Sequence, residues 1–245
     1  MATNSKIEWT ETTWNPVTGC SKISDGCKNC YAERMANRLY SMGVDRYKNR
    51  FKVTLHEDLV TLPLQWKQPK MIFVNSMSDL FHEDIPLEFI KSVFETMGSC
   101  PQHTFQILTK RSSRLLEVAN QLNWPINVWM GVSVENDKVI SRVDDLRKVP
   151  AAVRFLSCEP LLGSLSNLNL DSIHWVIVGG ESGPFSRPIH YDWVESIYQK
   201  CNQEHVPFFF KQWGGTRKHV TGRLLHERTY SEMPINLEKP IAINY

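Results

Sequence analysis

Three cysteines, Cys20, Cys27 and Cys30, stand within eleven residues, the last two as Cys-x-x-Cys, in a turn-rich stretch that begins Trp14-Asn15-Pro16-Val17-Thr18-Gly19. Three is the informative number. A structural zinc site closes with four protein ligands, whereas three thiolates on a cubic iron–sulfur cluster leave one iron open to a group that is not protein. The thiols alone therefore allow two chemistries. One is an open 4Fe-4S centre; the other is a zinc-stabilised nucleic-acid-binding domain without catalysis, with a histidine such as His82 as fourth ligand. Cys100, Cys158 and Cys201 stand singly, and the default for each is a small buried hydrophobe.

The rest of the chain must position that centre. Its 245 residues and net charge of +2 suit one α/β domain over 1–245, with a core over about 14–211 and a C-terminal cap or flap over 212–245. The mild basicity permits a phosphate-bearing partner without demanding one. No apolar run is long enough to cross a bilayer and the first residues hold no apolar signal core, which predicts a cytoplasmic protein and no membrane partner. In a reducing compartment six cysteines read as metal-binding or redox groups rather than as disulfides.

Short apolar runs at 70–75, 105–109, 127–134, 153–157, 174–179 and 206–211 read as buried strands. Helical patterns occupy 31–42, which stops at Gly43, then 86–97, 112–122, 137–146 and 192–201; only a short loop follows the fourth strand. That rhythm predicts a parallel sheet covered by helices. Polar residues recur just past the strand ends: Ser76 and Asp79, Lys110 and Arg111, Ser133 and Glu135, Cys158 and Glu159, Glu181, Lys211 and Gln212. Parallel α/β folds bind ligands at that edge. Residues 46–52 interleave four cations with two aromatics, which reads either as a segment tracking nucleic acid or as a connector packed on the core. Residues 217–225 suggest a hairpin turning at Thr221-Gly222.

With these motifs in place, the chain resembles the radical S-adenosylmethionine (SAM) superfamily. More narrowly, it is similar to the phage-associated Gp37/Gp68-like (three-Cys-motif) family, related to the spore-photoproduct-lyase-like branch. The resemblance rests on the block from Asn15 through Cys30-Tyr31-Ala32, and on Asn75-Ser76-Met77-Ser78-Asp79, Leu108-Thr109-Lys110, Cys158-Glu159-Pro160, Gly179-Gly180-Glu181 and Phe210-Lys211-Gln212-Trp213. One departure stands out: six residues separate Cys20 from Cys27, where the superfamily has three. Closure entropy tolerates the longer loop, since each doubling costs only about 0.6 kcal/mol.

The resemblance implies a partial (β/α)6 radical-SAM-type barrel with parallel strands and a C-terminal extension. It implies a 4Fe-4S cluster on Cys20, Cys27 and Cys30 whose open iron takes the amino and carboxylate groups of SAM, and reductive cleavage of SAM to methionine and a 5′-deoxyadenosyl radical. Ser76, Asp79, Lys110 and Ser133 are the implied SAM-binding residues, with Lys110 beside the methionine carboxylate. Beyond them, Cys158 is the candidate hydrogen-atom donor, and Glu159 and Glu181 are candidates to bind substrate or order the loops. The implied substrate is a base or nucleotide of DNA or RNA, in modification or repair, with a small metabolite as the alternative. The implied partners are an electron donor of flavodoxin or ferredoxin type and a protein that presents the substrate.

Overall fold

The computed structural model describes residue 5 and residues 7–234. The chain opens with strand β1 (Thr12–Trp14) and a two-stranded antiparallel ribbon, β2 (Val17–Thr18) and β3 (Thr54–Leu55), with helix α1 (Tyr31–Ser41) between the ribbon's strands. There follow α2 (Glu57–Val60), β4 (Met71–Val74), α3 (Leu87–Gly98), β5 (Thr104–Thr109), α4 (Ser112–Ala119), β6 (Val128–Ser133), α5 (Ser141–Arg147) and β7 (Val153–Cys158). The last elements are β8 (Trp175–Gly179), α6 (Tyr191–Gln203), β9 (Phe208–Gln212) and α7 (Lys218–Thr221). Seven strands pair in the order β1-β4-β5-β6-β7-β8-β9, all parallel, in a sheet curled into a half-barrel.

All six expected strands form, and no helix follows β7. The seventh, β1, was not expected, because three residues carry too short a pattern to register as a strand. It pairs Thr12–Trp14 with Ile72–Val74 and launches the cysteine loop from the sheet's edge. Trp14 fixes that launch point: 1 % exposed, it packs on Phe105 and donates its indole N–H to the Leu59 carbonyl at 2.8 Å.

Successive side chains of a strand point to opposite faces, and the two faces build separate cores. The outer face sets Val74, Ile107, Val132, Leu156, Cys158, Val178 and Phe210 against helix residues such as Val93, Leu115 and Ile197. The inner face fills the barrel with Trp9, Phe73, Trp129, Phe155, Trp175, Ile177 and Phe209. Trp175 is the hub, its ring 5.6 to 6.2 Å from those of Trp9, Trp129, Phe155 and Phe209.

The tail corrects one expectation. No hairpin turns at Thr221-Gly222; α7 ends at Thr221, and the chain reverses at His226-Glu227, both at positive φ, between the paired Leu225 and Arg228. His226 explains the shift, since its ring bonds Tyr230 at 2.8 Å and Glu195 of α6 at 2.6 Å. Beyond the turn the tail covers the β9 edge: Ser231 pairs with Phe209, and Glu232 accepts from the Phe208 amide and the Trp175 indole. The described part of the tail thus lies on the edge of the sheet; residues 235–245 of the expected extension lie outside the described residues. Among the described residues no helix is long and apolar enough to cross a membrane.

Candidate functional site

The C-terminal ends of the strands open onto a cavity of about 430 Å³ floored by Trp9 and Phe73. Every predicted site residue lines it except Cys158: the three thiols of Cys20, Cys27 and Cys30 on one side, then Ser76, Asp79, Lys110, Ser133, Glu159 and Glu181.

The thiols are positioned by a loop tied down along its length. At its start, Asn15 accepts hydrogen bonds from the Ser76 hydroxyl (3.2 Å) and the Met77 amide (3.0 Å), while Asn75 accepts one from the Val17 amide (3.2 Å). Gly19 sits at φ +85°, and a Cβ there would lie 2.1 Å from the Lys52 carbonyl oxygen, so only glycine lets the chain pass. Arg111, 7 % exposed at the end of β5, donates to Cys20 Sγ at 3.4 Å, to the Ser21 carbonyl and hydroxyl at 3.2 and 2.8 Å, and to Glu83 at 2.8 Å. Glu135, beyond β6 and fully buried, accepts from the Ser24 hydroxyl and the Gly26 amide, and its charge is met by Arg142 at 2.8 Å. Glu181, beyond β8, accepts from Asn29 at 2.9 Å and from Arg187, whose other arm reaches the Asp25 carbonyl at 2.9 Å. The six residues between Cys20 and Cys27 thus supply the anchors Ser21, Ser24, Asp25 and Gly26 for three strand ends, which accounts for the long spacing.

The charges follow from these contacts. Burial, helped by the Asp79 carboxylate, pushes the Cys20 thiol up to about 11 against the opposing pull of Arg111. Cys20 is therefore a protonated thiol at neutral pH until something displaces its proton. Burial would raise Glu181, but the Arg187 side chain and backbone and the Asn29 amide outweigh it and hold the carboxyl at about 2. Burial raises the Tyr31 phenol, which donates to the Ser76 carbonyl.

Lys110 is the cation without a carboxylate partner among the described residues of the cavity wall; its ammonium donates to the Ser133 hydroxyl at 3.1 Å. Asp79 is held by several protein donors. Its carboxylate accepts from the Phe81 amide, the Thr109 hydroxyl, the Lys110 amide and Arg111, which uses all four of its lone-pair sites. Asp79 lines the cavity and, through these four donors, also shapes the end of β5. Glu159 pairs with Lys211 at 3.1 Å across the opposite wall, and Glu181 orders the cysteine loop.

Cys158 is not brought to the cavity. Ser157 lines it, so the next side chain of β7 points the other way, and Cys158 lies fully buried in the helix-side core opposite Val178. Burial raises its thiol well above the usual value. His82, the histidine singled out for the zinc alternative, is engaged by protein groups: Nδ1 accepts the Asp84 amide (3.1 Å), which leaves Nε2 to donate to the Ser21 hydroxyl (2.8 Å). Residues 46–52 form a connector; Arg46 pairs with Asp58, Arg50 lies over the Tyr40 ring, and Tyr47 and Phe51 pack on Ala32, Ala36 and Met77. Trp213 stacks on Tyr191 and packs on Phe210, away from the cavity lining.

Among the described residues no group of three or more His, Cys, Asp or Glu could hold a single metal ion. The donor set nonetheless suits an iron–sulfur cluster: three cysteines free of disulfides, on one loop, facing one cavity, with a guanidinium on the first sulfur. The uncompensated Lys110 beside Ser76 and Ser133 suits a ligand that carries a carboxylate.

Sequence reasoning passed over the groups that hold the loop. Arg142 and Arg187 carried no signal, and Glu135 and Arg111 were visible only as strand-end polar residues. Asn15 was visible only as a motif letter.

Residues 4–234 match the family described as Protein of unknown function (DUF5131). No functionally curated protein matches the chain. Among solved structures, a doubly substituted spore photoproduct lyase with bound AdoMet and dinucleoside spore photoproduct is similar, with a TM-score of 0.50 and 13 % identity over 83 % of this chain and 64 % of that one. A singly substituted form with the dinucleoside spore photoproduct has a TM-score of 0.49 and 14 % identity over 86 % and 57 %. The chain thus spans less than two thirds of the length of these lyases. The likeness is one of fold: the half-barrel of seven parallel strands is the partial barrel of radical-SAM type.

Proposed function

The chain belongs to the DUF5131 family, and we propose that it is a radical SAM enzyme acting on a nucleic-acid base or nucleotide, in modification or repair. One observation carries the reading. Three free thiols on one strapped loop open onto the same cavity as Lys110, Ser76 and Ser133, at the C-terminal rim of a parallel half-barrel. Cys20, Cys27 and Cys30 would hold a 4Fe-4S cluster which, with SAM bound and one electron from a flavodoxin- or ferredoxin-type donor, supplies a 5′-deoxyadenosyl radical and methionine.

The chain's own groups do the holding. Lys110, aimed by its bond to Ser133, neutralises the methionine carboxylate of SAM, and Ser76, fixed through Asn15, offers a hydroxyl beside it. Arg111 donates to Cys20 and would orient that sulfur in a thiolate-held centre. Trp9 and Phe73 close the floor, which keeps water from a reactive species formed above them. The doubly substituted lyase structure of similar fold holds a dinucleoside, which supports a base or nucleotide as substrate.

Anaerobic reconstitution with iron and sulfide tests the reading. The expected result is a brown protein that yields 5′-deoxyadenosine from SAM and dithionite. Lys110→Ala should keep the cluster signal and weaken SAM binding about tenfold to a hundredfold, the loss of one charge-assisted bond. A colourless protein, or a loaded one that leaves SAM intact, would overturn it.

A further inference from the structure

Phe185 does not behave like a side chain the fold needs. It is 87 % exposed and sits at φ +63°, a left-handed conformation that is an outlier for a bulky residue. Its backbone is nevertheless fixed. The Phe185 carbonyl accepts from Asn29, inside the Cys-x-x-Cys, at 2.9 Å, and Arg34 reaches the carbonyls of Ser182 and Pro184. On the C-terminal side Arg187 is held by Glu181 and the Asp25 carbonyl. Glu181 and Ser182, at the base of this loop, line the cavity. The molecule therefore holds a strained backbone rigidly at the cavity rim and presents a bare aromatic ring to solvent.

The surface beside it is cationic. Tyr31, Arg34 and Arg38 follow one another at i, i+3 and i+7 on α1, so they share one face, which runs from cavity-lining Tyr31 outward. Arg34 and Arg38 are exposed and neither forms a salt bridge among the described residues. Two unneutralised cations one turn apart repel each other, and phosphates would relieve that repulsion.

We propose that Phe185, with Arg34 and Arg38, is a shelf for an unpaired stretch of nucleic acid. The ring stacks on the base next to the one admitted to the cavity, and α1 takes the flanking phosphates. Rigid aromatic faces bind bases without regard to sequence, and exposed arginines bind backbone through counterion release. This deepens the proposed function by placing its polymer substrate, and it rests on that reading only for the chemistry that follows binding.

The test is anisotropy of a labelled single-stranded oligodeoxynucleotide with the cluster-loaded protein. Phe185→Ala should weaken binding about tenfold, in the range of one lost base–aromatic stack, and Phe185→Trp should restore it. Phe185→Gly should bind as weakly as Phe185→Ala yet melt no lower than the parent, because glycine removes the backbone strain. Arg38→Gln should lower the slope of log affinity against log salt by about one unit. Parental affinity in Phe185→Ala, a drop in melting temperature for Phe185→Gly, or no oligonucleotide binding by the parent protein would overturn the proposal. The two readings fail separately. Phe185→Ala that cleaves SAM and binds like the parent removes the shelf alone; loaded parent protein that leaves SAM intact, while its oligonucleotide binding depends on Phe185, removes the radical chemistry alone.

Discussion

The barrel interior changes character halfway along its strands. Inner-face positions read upward as Trp129-Gly131-Ser133, Val153-Phe155-Ser157, Trp175-Ile177-Gly179, Phe73-Asn75 and Phe209-Lys211. The lower half is packed with rings that touch one another. The upper half is polar, and its acids are paired: Asp79 and Glu83 share the single Arg111, Glu135 meets Arg142, Glu159 meets Lys211 and Glu181 meets Arg187. Below, shape holds the fold together. Above, charge-assisted hydrogen bonds hold individual groups in place, so the two halves should answer differently to substitution.

The sharpest separation is expected at Cys27. Cys27→Ala should abolish cluster content and 5′-deoxyadenosine formation while the urea midpoint of the metal-free protein stays near the parent's; a collapse of the fold would erase the distinction. Trp175→Ala strikes the lower half and should cost about 3–5 kcal/mol in urea unfolding, as for other large aromatic truncations. Glu181→Gln probes a strap of the upper half. Because Glu181 is held at about 2 in the folded chain, below its unfolded value, its contribution is full above the unfolded value and fades as pH falls towards 2. The variant should therefore be less stable than the parent by about 3 kcal/mol at pH 7, with the gap closing in acid; a gap that does not change with pH would contradict the strap. Cys158→Ala should be the mildest, costing about 1 kcal/mol of stability with product formation unchanged. Loss of product there would return Cys158 to the chemistry despite its place on the helix side.

The strand ends and their polar residues were legible in the sequence because each follows an apolar run, and the runs set the sheet. The thiols and Lys110 were legible as candidate site residues, and the structure brings them to one cavity. The side chosen by Cys158 could have been read too, by alternation from Ser157, had period two been carried past the last apolar residue. What no local pattern reveals is partnership over distance: Glu135 meets Ser24 and Gly26 across 111 and 109 residues, and Asn29 meets Glu181 across 152. The donors to Asp79 were hidden for the same reason, since Thr109, Lys110 and Arg111 stand some thirty positions on. A carboxylate's saturation shows only after the fold has brought its donors to it.

The cysteine loop is strapped entirely by protein groups, from Asn15 to Arg187, and this bears on how the protein matures. A zinc finger has no shape until its ion arrives, so its folding and filling are one event. Here protein groups alone place the three thiols on one side of the cavity. In the proposed enzyme, filling would require no refolding of the loop, only release of the proton from Cys20. The metal-free chain is then expected to keep its fold, which the urea midpoint of Cys27→Ala reads.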